Sequence, residues 1–208
     1  MTDTSGTNVA IIYYSSTGNL HALATVISEA AEATGADVRL RKVAELAPPE
    51  AIEDNEQWAA HAAATADLPV AEGSDLEWAD VVLFGTPTRF GNVSSQLQQF
   101  MDAQGGLWAE GKLADKVYAG FTSSQTEHGG QESTLLALFH AIHHWGGLVV
   151  SPGYTDPSKF VDGNPYGVGH VSGADNTDAI GDTERTAAEH LATRAVRIGT
   201  ALKVGLAS

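Results

Sequence analysis

The sequence predicts an α/β fold: a doubly wound, five-stranded parallel sheet with helices on both faces. Three observations carry that expectation. Short, β-prone apolar runs alternate with longer helical stretches along the chain, the pattern of repeated strand–helix units. Residues 81–85, VVLFG, are apolar without the in–out alternation of a half-exposed strand, so both faces of that strand are covered. Three strand ends run into small hydroxyl and glycine residues before the next helix, in SSTGN, GTPTRFGN and TSSQTEHGG. Open parallel sheets bind ligands just beyond the carboxyl ends of their strands.

The elements follow in order. Residues 9–14 make the first strand, and 19–34 an alanine-rich helix that Gly35 stops. Val38, Leu40 and Val43 mark the second strand. Residues 47–80 are acidic, alanine-rich and broken by prolines, and read as surface helices and loop. After the third strand at 81–85, residues 93–104 are helical. A fourth strand at 117–122, a helix at 131–145 and a fifth strand at 148–150 complete the sheet. Residues 153–176, rich in Gly, Pro, Asp and Asn, read as a long loop, and 183–204 as the closing helix. The 208 residues are expected to form one domain (1–208), with a flexible segment at 1–7.

Composition narrows the function. Acidic residues number 26 against 11 basic ones, a formal net charge of −15, which argues against nucleic acid or an anionic membrane as partner. The same excess suits high salt, where carboxylates stay hydrated and their repulsion is screened, so a halophilic source is expected. The chain has no cysteine, which leaves neither disulfides nor thiol chemistry. No apolar run approaches the ~20 residues of a membrane helix. The polar start lacks the regions of a signal peptide, so a cytoplasmic protein is expected.

The site residues sit in the strand-end loops. In SSTGN, Gly18 permits a tight turn, Ser15, Ser16 and Thr17 offer hydroxyls, and the following helix opens with free N–H groups that attract a phosphate. With no lysine there, it is not a nucleoside-triphosphate loop. In GTPTRFGN, Phe90 stands beside Arg89 as one wall for a flat ring; as a loop residue it could equally pack inward. The third loop, with exposed Glu127 and His128, addresses a ligand through backbone N–H groups. His140, His143 and His144 share a helix, but they lack the carboxylate or HExxH order of a metal site, so no metal is expected.

Together these residues resemble the WrbA-type NAD(P)H:quinone oxidoreductases, a flavodoxin-like family that binds FMN. YYSSTGN resembles the family's phosphate loop, GTPTRFGN its ring-binding loop and GGLWAEGKL its stretch with an active-site tryptophan. SSQTEHGGQE, HHWG and GNPYG follow in the same order, and the resemblance spans roughly residues 8–206. It implies that Ser15, Ser16, Thr17, Gly18, Asn19 and Leu20 hold the FMN phosphate. Thr88, Arg89 and Phe90 would bound the flavin ring, and Ser124, Gln125, Thr126, Glu127, His128 and Gly129 would wrap its other side. His144 would lie beside the flavin as proton source, with Arg89 stabilising negative charge. Trp108, Phe90 and Thr17 would line the place where nicotinamide or quinone stacks. The implied reaction is ping-pong: hydride from NADH or NADPH to FMN, then two electrons to a quinone. The family also implies a homotetramer whose sites are finished by neighbouring subunits, with the loop around Tyr166 in those contacts. The resemblance departs at Thr17, where relatives carry an aromatic residue, and at Asn19, where histidine is common. A single-electron carrier and an interaction protein without turnover are the alternatives.

Overall fold

The computed structural model describes residues 4 and 6–207. β1 (Asn8–Tyr13) and α1 (Asn19–Glu32) are followed by β2 (Asp37–Lys42), then by three short helices, α2 (Pro49–Glu53), α3 (Glu56–Ala64) and α4 (Gly73–Trp78). β3 (Val81–Pro87) leads into α5 (Ser95–Asp102) and α6 (Gly105–Ala109), and β4 (Val117–Ser124) into α7 (Gln131–Trp145). β5 (Leu148–Val149), α8 (Lys159–Asp162), β6 (Val168–Val171) and α9 (Asp182–Leu206) complete the order.

The strands pair in parallel as β2-β1-β3-β4-β5, with β6 also on β4. The chain leaves β1 toward β2 and returns on the other side as β3. That reversal opens a crevice between the carboxyl ends of β1 and β3, where such sheets take ligands.

Each face of the sheet buries its own core. Val9, Ile11, Val81, Leu83, Val117 and Ala119 point to one side, against α1 and α9. Ala10, Ile12, Val82, Phe84 and Tyr118 point to the other, against α5 and α7. This is why β1, β3 and β4 read as unbroken apolar runs. The α1 stripe of Leu20, Leu23, Ala24, Ile27 and Ala31 follows helical spacing, and truncating Leu23, which is fully buried, removes about 2–5 kcal/mol of packing.

Two expectations change. The segment 153–176 is not all loop, because it contains α8 and β6. β5 pairs with Val117 and Tyr118 and β6 with Phe121 to Ser124, so two short strands share one sheet position in series. β6 buries Val168 and His170 completely or nearly so. Its four residues, with a histidine facing inward, give too little apolar pattern to read as a strand. Of the expected flexible segment 1–7, residues 1–3 and 5 lie outside the described residues. Thr7 is buried, and its hydroxyl meets that of Thr200 at 2.7 Å, while Thr4 is held to the Thr34 carbonyl. The acidic segment forms α2, α3 and α4 as surface helices, with one carboxylate turned inward: Asp75 is buried and bonded to Arg39 and Arg41.

Candidate active site

The three strand ends meet in one cleft of about 400 Å³. Its first wall is the turn from β1 to α1. Gly18 caps the helix at φ +99°, a conformation that glycine adopts freely, and its N–H donates to Ser15 Oγ at 3.1 Å. No side chain caps α1. Its first intrahelical bond runs from Ala22 N–H to Gly18 O, so the N–H groups of Asn19, Leu20 and His21 come before the helix ladder begins. The positive end of the helix dipole therefore opens on the cleft beside the hydroxyls of Ser15, Ser16 and Thr17.

The second and third walls are tied to each other. Thr88 Oγ1 donates to Gly129 O at 3.3 Å and accepts from Gly91 N–H at 3.2 Å and Thr134 Oγ1 at 2.8 Å. Gly91 and Gly130 touch at this seam, both with positive φ; a Cβ on Gly130 would stand 3.0 Å from the Cα of Gly91. Ser124 Oγ donates to Thr126 O at 2.7 Å and accepts from Gln131 Nε2 at 2.8 Å, which shapes the third loop. Arg89 is the one charged residue on the cleft wall among the described residues. An anion there is met by hydroxyls, backbone N–H groups and a helix dipole rather than by lysines.

Beneath the turn from β1 to α1 lies a cluster of titratable groups. Tyr13 Oη and His21 Nδ1 are 2.5 Å apart, and the His21 and His61 rings are 5.4 Å apart. Burial pushes both imidazoles below their ordinary value; for His61, His21 and Lys42 add to it, and its pKa falls to about 4. Burial raises both tyrosines, Tyr14 further through its bond to Glu45. Burial works to raise Glu45 too, but bonds from Ala47, Gln96, Tyr14 and Leu46 outweigh it and hold the carboxyl below its usual range.

Most expected residues gather here. Ser15, Ser16, Thr17, Asn19 and Leu20 line the cleft with Thr88, Arg89, Ser124, Gln125, Thr126 and Gly129, and Gly18 shapes the turn behind them. Phe90 does not pack inward. It is fully exposed at φ +54°, at the tip of a turn closed by Arg89 and Asn92 bonding each other's backbone at 2.9 and 3.0 Å. Glu127 and His128 are exposed and off the cleft wall.

Trp108 and His144 lie elsewhere. Trp108 Nε1 donates to His144 O at 3.0 Å, and the two residues line a surface groove of about 270 Å³ with Met101, Gly105 and Trp145. α7 starts at the cleft with Gln131, beside Gly130, and carries His144 near its far end. Its 15 residues span about 22 Å, so the helix itself holds His144 away from the cleft of its own chain. Two wall residues, Ser172 and Asn176, stand outside the strand-end loops that the sequence marks. Pro87 and Ser123 belong to the quoted loops, and the structure places them at the carboxyl ends of β3 and β4. Ser172 and Asn176 follow β6, which gave no sequence signal.

The comparisons with known proteins agree with this fold. Residues 7–159 match the model of the NADPH-dependent FMN reductase family. The chain belongs to that family. It is 42% identical over 196 residues, 94% of this chain and 96% of the relative, to a protein of Deinococcus radiodurans named NAD(P)H dehydrogenase (quinone). A protein of the same name from Aromatoleum aromaticum is 38% identical, with 96% of this chain and 99% of that one covered. Among solved structures, a WrbA-like flavodoxin from Agrobacterium tumefaciens superposes with a TM-score of 0.64 at 24% identity, covering 93% of this chain and 98% of that one. An archaeal flavodoxin superposes with a TM-score of 0.58 at 17% identity, covering 94% and 99%. These two likenesses concern the flavodoxin-like fold.

Proposed function

We propose that the protein is an FMN-dependent NAD(P)H:quinone oxidoreductase, cytoplasmic and homotetrameric. The observation that carries the reading is the cleft: uncapped N–H groups of α1, three hydroxyls and a single arginine at the switch point of a parallel sheet. The donor set fits a phosphate ester, and the cleft volume suits a ligand of cofactor size. Family membership and the names of the relatives supply the class of reaction.

FMN bound here supplies two-electron chemistry, accepting a hydride from NADH or NADPH and delivering two electrons to a quinone. The chain's own residues do the rest. Residues 15–20 hold the phosphate. Thr88 and Arg89 meet the polar edge of the ring, with Arg89 countering negative charge, and Ser124, Gln125, Thr126 and Gly129 face it from the third loop. Phe90, exposed at the rim, offers an aromatic face to ring or substrate, worth about 0.5–1.5 kcal/mol when stacked. Trp108 and His144 reach a ring only from a second copy of the chain, so substrate stacking and proton delivery at the quinone oxygen belong to a site closed between subunits. The strong negative charge suits a protein that works in high salt.

The test is an absorption spectrum of protein loaded with FMN, followed through addition of NADH and then a benzoquinone. A flavin band that bleaches with NADH and returns with quinone is expected. Binding without bleaching would point to a single-electron carrier, and no binding would overturn the reading.

A further inference from the structure

We propose that Asn176 is a positioning residue that turns the hydroxyl proton of Thr17 into the cleft, making Thr17 a donor to the cofactor's phosphate. This rests on the reading that residues 15–20 hold that phosphate.

Asn176 comes from the segment after β6, far along the chain from the phosphate turn, and lies on the cleft wall beside Thr17 and Asn19. It sits at φ +62°, and its N–H bonds to Gly173 O at 3.1 Å. Its main-chain carbonyl is 3.0 Å from one side-chain amide atom of Asn19. A carbonyl oxygen only accepts, so that atom is the Asn19 nitrogen. The same nitrogen lies 3.0 Å from one end of the Asn176 amide, which must therefore be its oxygen. Ser172 Oγ also reaches that oxygen, at 2.6 Å.

The other end of the Asn176 amide is then the NH₂ group, and it stands 2.5 Å from Thr17 Oγ1. An amide nitrogen only donates, so Thr17 accepts. A hydroxyl has one proton, and here no acceptor among the described residues takes it. Thr17 lines the cleft, so its proton is left for a ligand there. The orientation is thus set by a main-chain carbonyl and passed through two amides to one hydroxyl. It matters because Arg89 is the one cation on the wall among the described residues, which leaves aimed neutral donors to meet the phosphate. A hydrogen bond to a charged group is worth about 10- to 100-fold in affinity.

Riboflavin, which has the same ring without the phosphate, separates the two roles Asn176 could have. Flavin fluorescence titrations would give Kd for FMN and for riboflavin in the wild type, Asn176→Gly and Asn176→Asp, each also with Thr17→Val. Glycine tolerates the positive φ, so Asn176→Gly keeps the backbone. It should weaken FMN about tenfold. Asn176→Asp should weaken it about 100-fold, because the carboxylate takes the Thr17 proton and repels the phosphate. Riboflavin should change less than about twofold in both. With Thr17→Val present, Asn176→Gly should add less than about twofold to the loss of FMN.

Equal weakening of both flavins, or an undiminished effect of Asn176→Gly beside Thr17→Val, would overturn the inference and leave Asn176 a structural tie. A wild type that binds riboflavin as well as FMN would overturn the phosphate reading itself, and the inference with it.

Discussion

The two ends of α7 carry opposite kinds of site. At its first residue is a cleft assembled in advance by cross-links: Thr88 to Gly129, Thr134 to Thr88, and Asn176 to Thr17. At its last turn is an open groove across which Trp108 Nε1 bonds His144 O, with Trp108 56% exposed. The first is cross-linked and the second lies open at the surface. A parallel sheet gathers its binding loops at the carboxyl ends of its strands, so residues at the other end of the same helices cannot serve the same chain's cleft. On the proposed reading, association of two chains brings the two sets together.

The largest effect is expected at the cleft. Gly18→Val places a β-branched residue at φ +99°, with strain of about 1–3 kcal/mol or more, and displaces the uncapped N–H groups. FMN affinity should fall more than about 100-fold by fluorescence titration, and the groove should be unaffected. Trp108→Ala attacks the other end. Quinone kcat/KM should fall about tenfold or more, while FMN Kd stays within about twofold. A matching loss of FMN binding would mean that Trp108 supports the fold of the cleft.

A smaller effect comes from the titratable cluster beneath the β1–α1 turn. His61 titrates near its ordinary value of about 6.5 when unfolded, and near 4 when folded, chiefly through burial. Between those values the unfolded chain binds more protons, so stability present above about pH 6.5 is lost as pH falls toward 4. The side chain is only half buried, which limits the loss to about 1–2 kcal/mol. Denaturant curves at pH 7 and 4.5 should show it, and His61→Gln should flatten the difference; an unchanged slope would exclude His61 as its source. The smallest expected effect is a rise of a few degrees in Tm from 0.1 to 2 M KCl, as salt screens the net charge of −15. Coincident melting curves would contradict the high-salt reading.

The central strands were legible because burial on both faces leaves no alternation to misread, as in Val81 to Phe84. The place of the β1–α1 turn on the cleft wall was legible because hydroxyls, a glycine and a helix start form a local pattern. β6 was not, since a buried His170 stands where a strand pattern wants an apolar residue. That histidine is held by Glu184 Oε1 at 3.1 Å and Asp178 O at 3.0 Å, partners that sequence does not place beside it. Asn176 was lost with it, for its role depends on a contact across 157 residues. His144 and Trp108 entered by family resemblance; that they face a groove of their own follows from helix length and strand order together.

The most direct test of a site closed between subunits is complementation. Gly18→Val and Trp108→Ala chains would be expressed singly and together, and NADH:quinone turnover measured per FMN bound. In mixed assemblies the intact cleft of a Trp108→Ala chain can meet the intact Trp108 of a Gly18→Val chain. The account predicts that co-expression yields activity well above the average of the two separate variants. Activity no greater than that average would contradict it and return the whole site to a single chain.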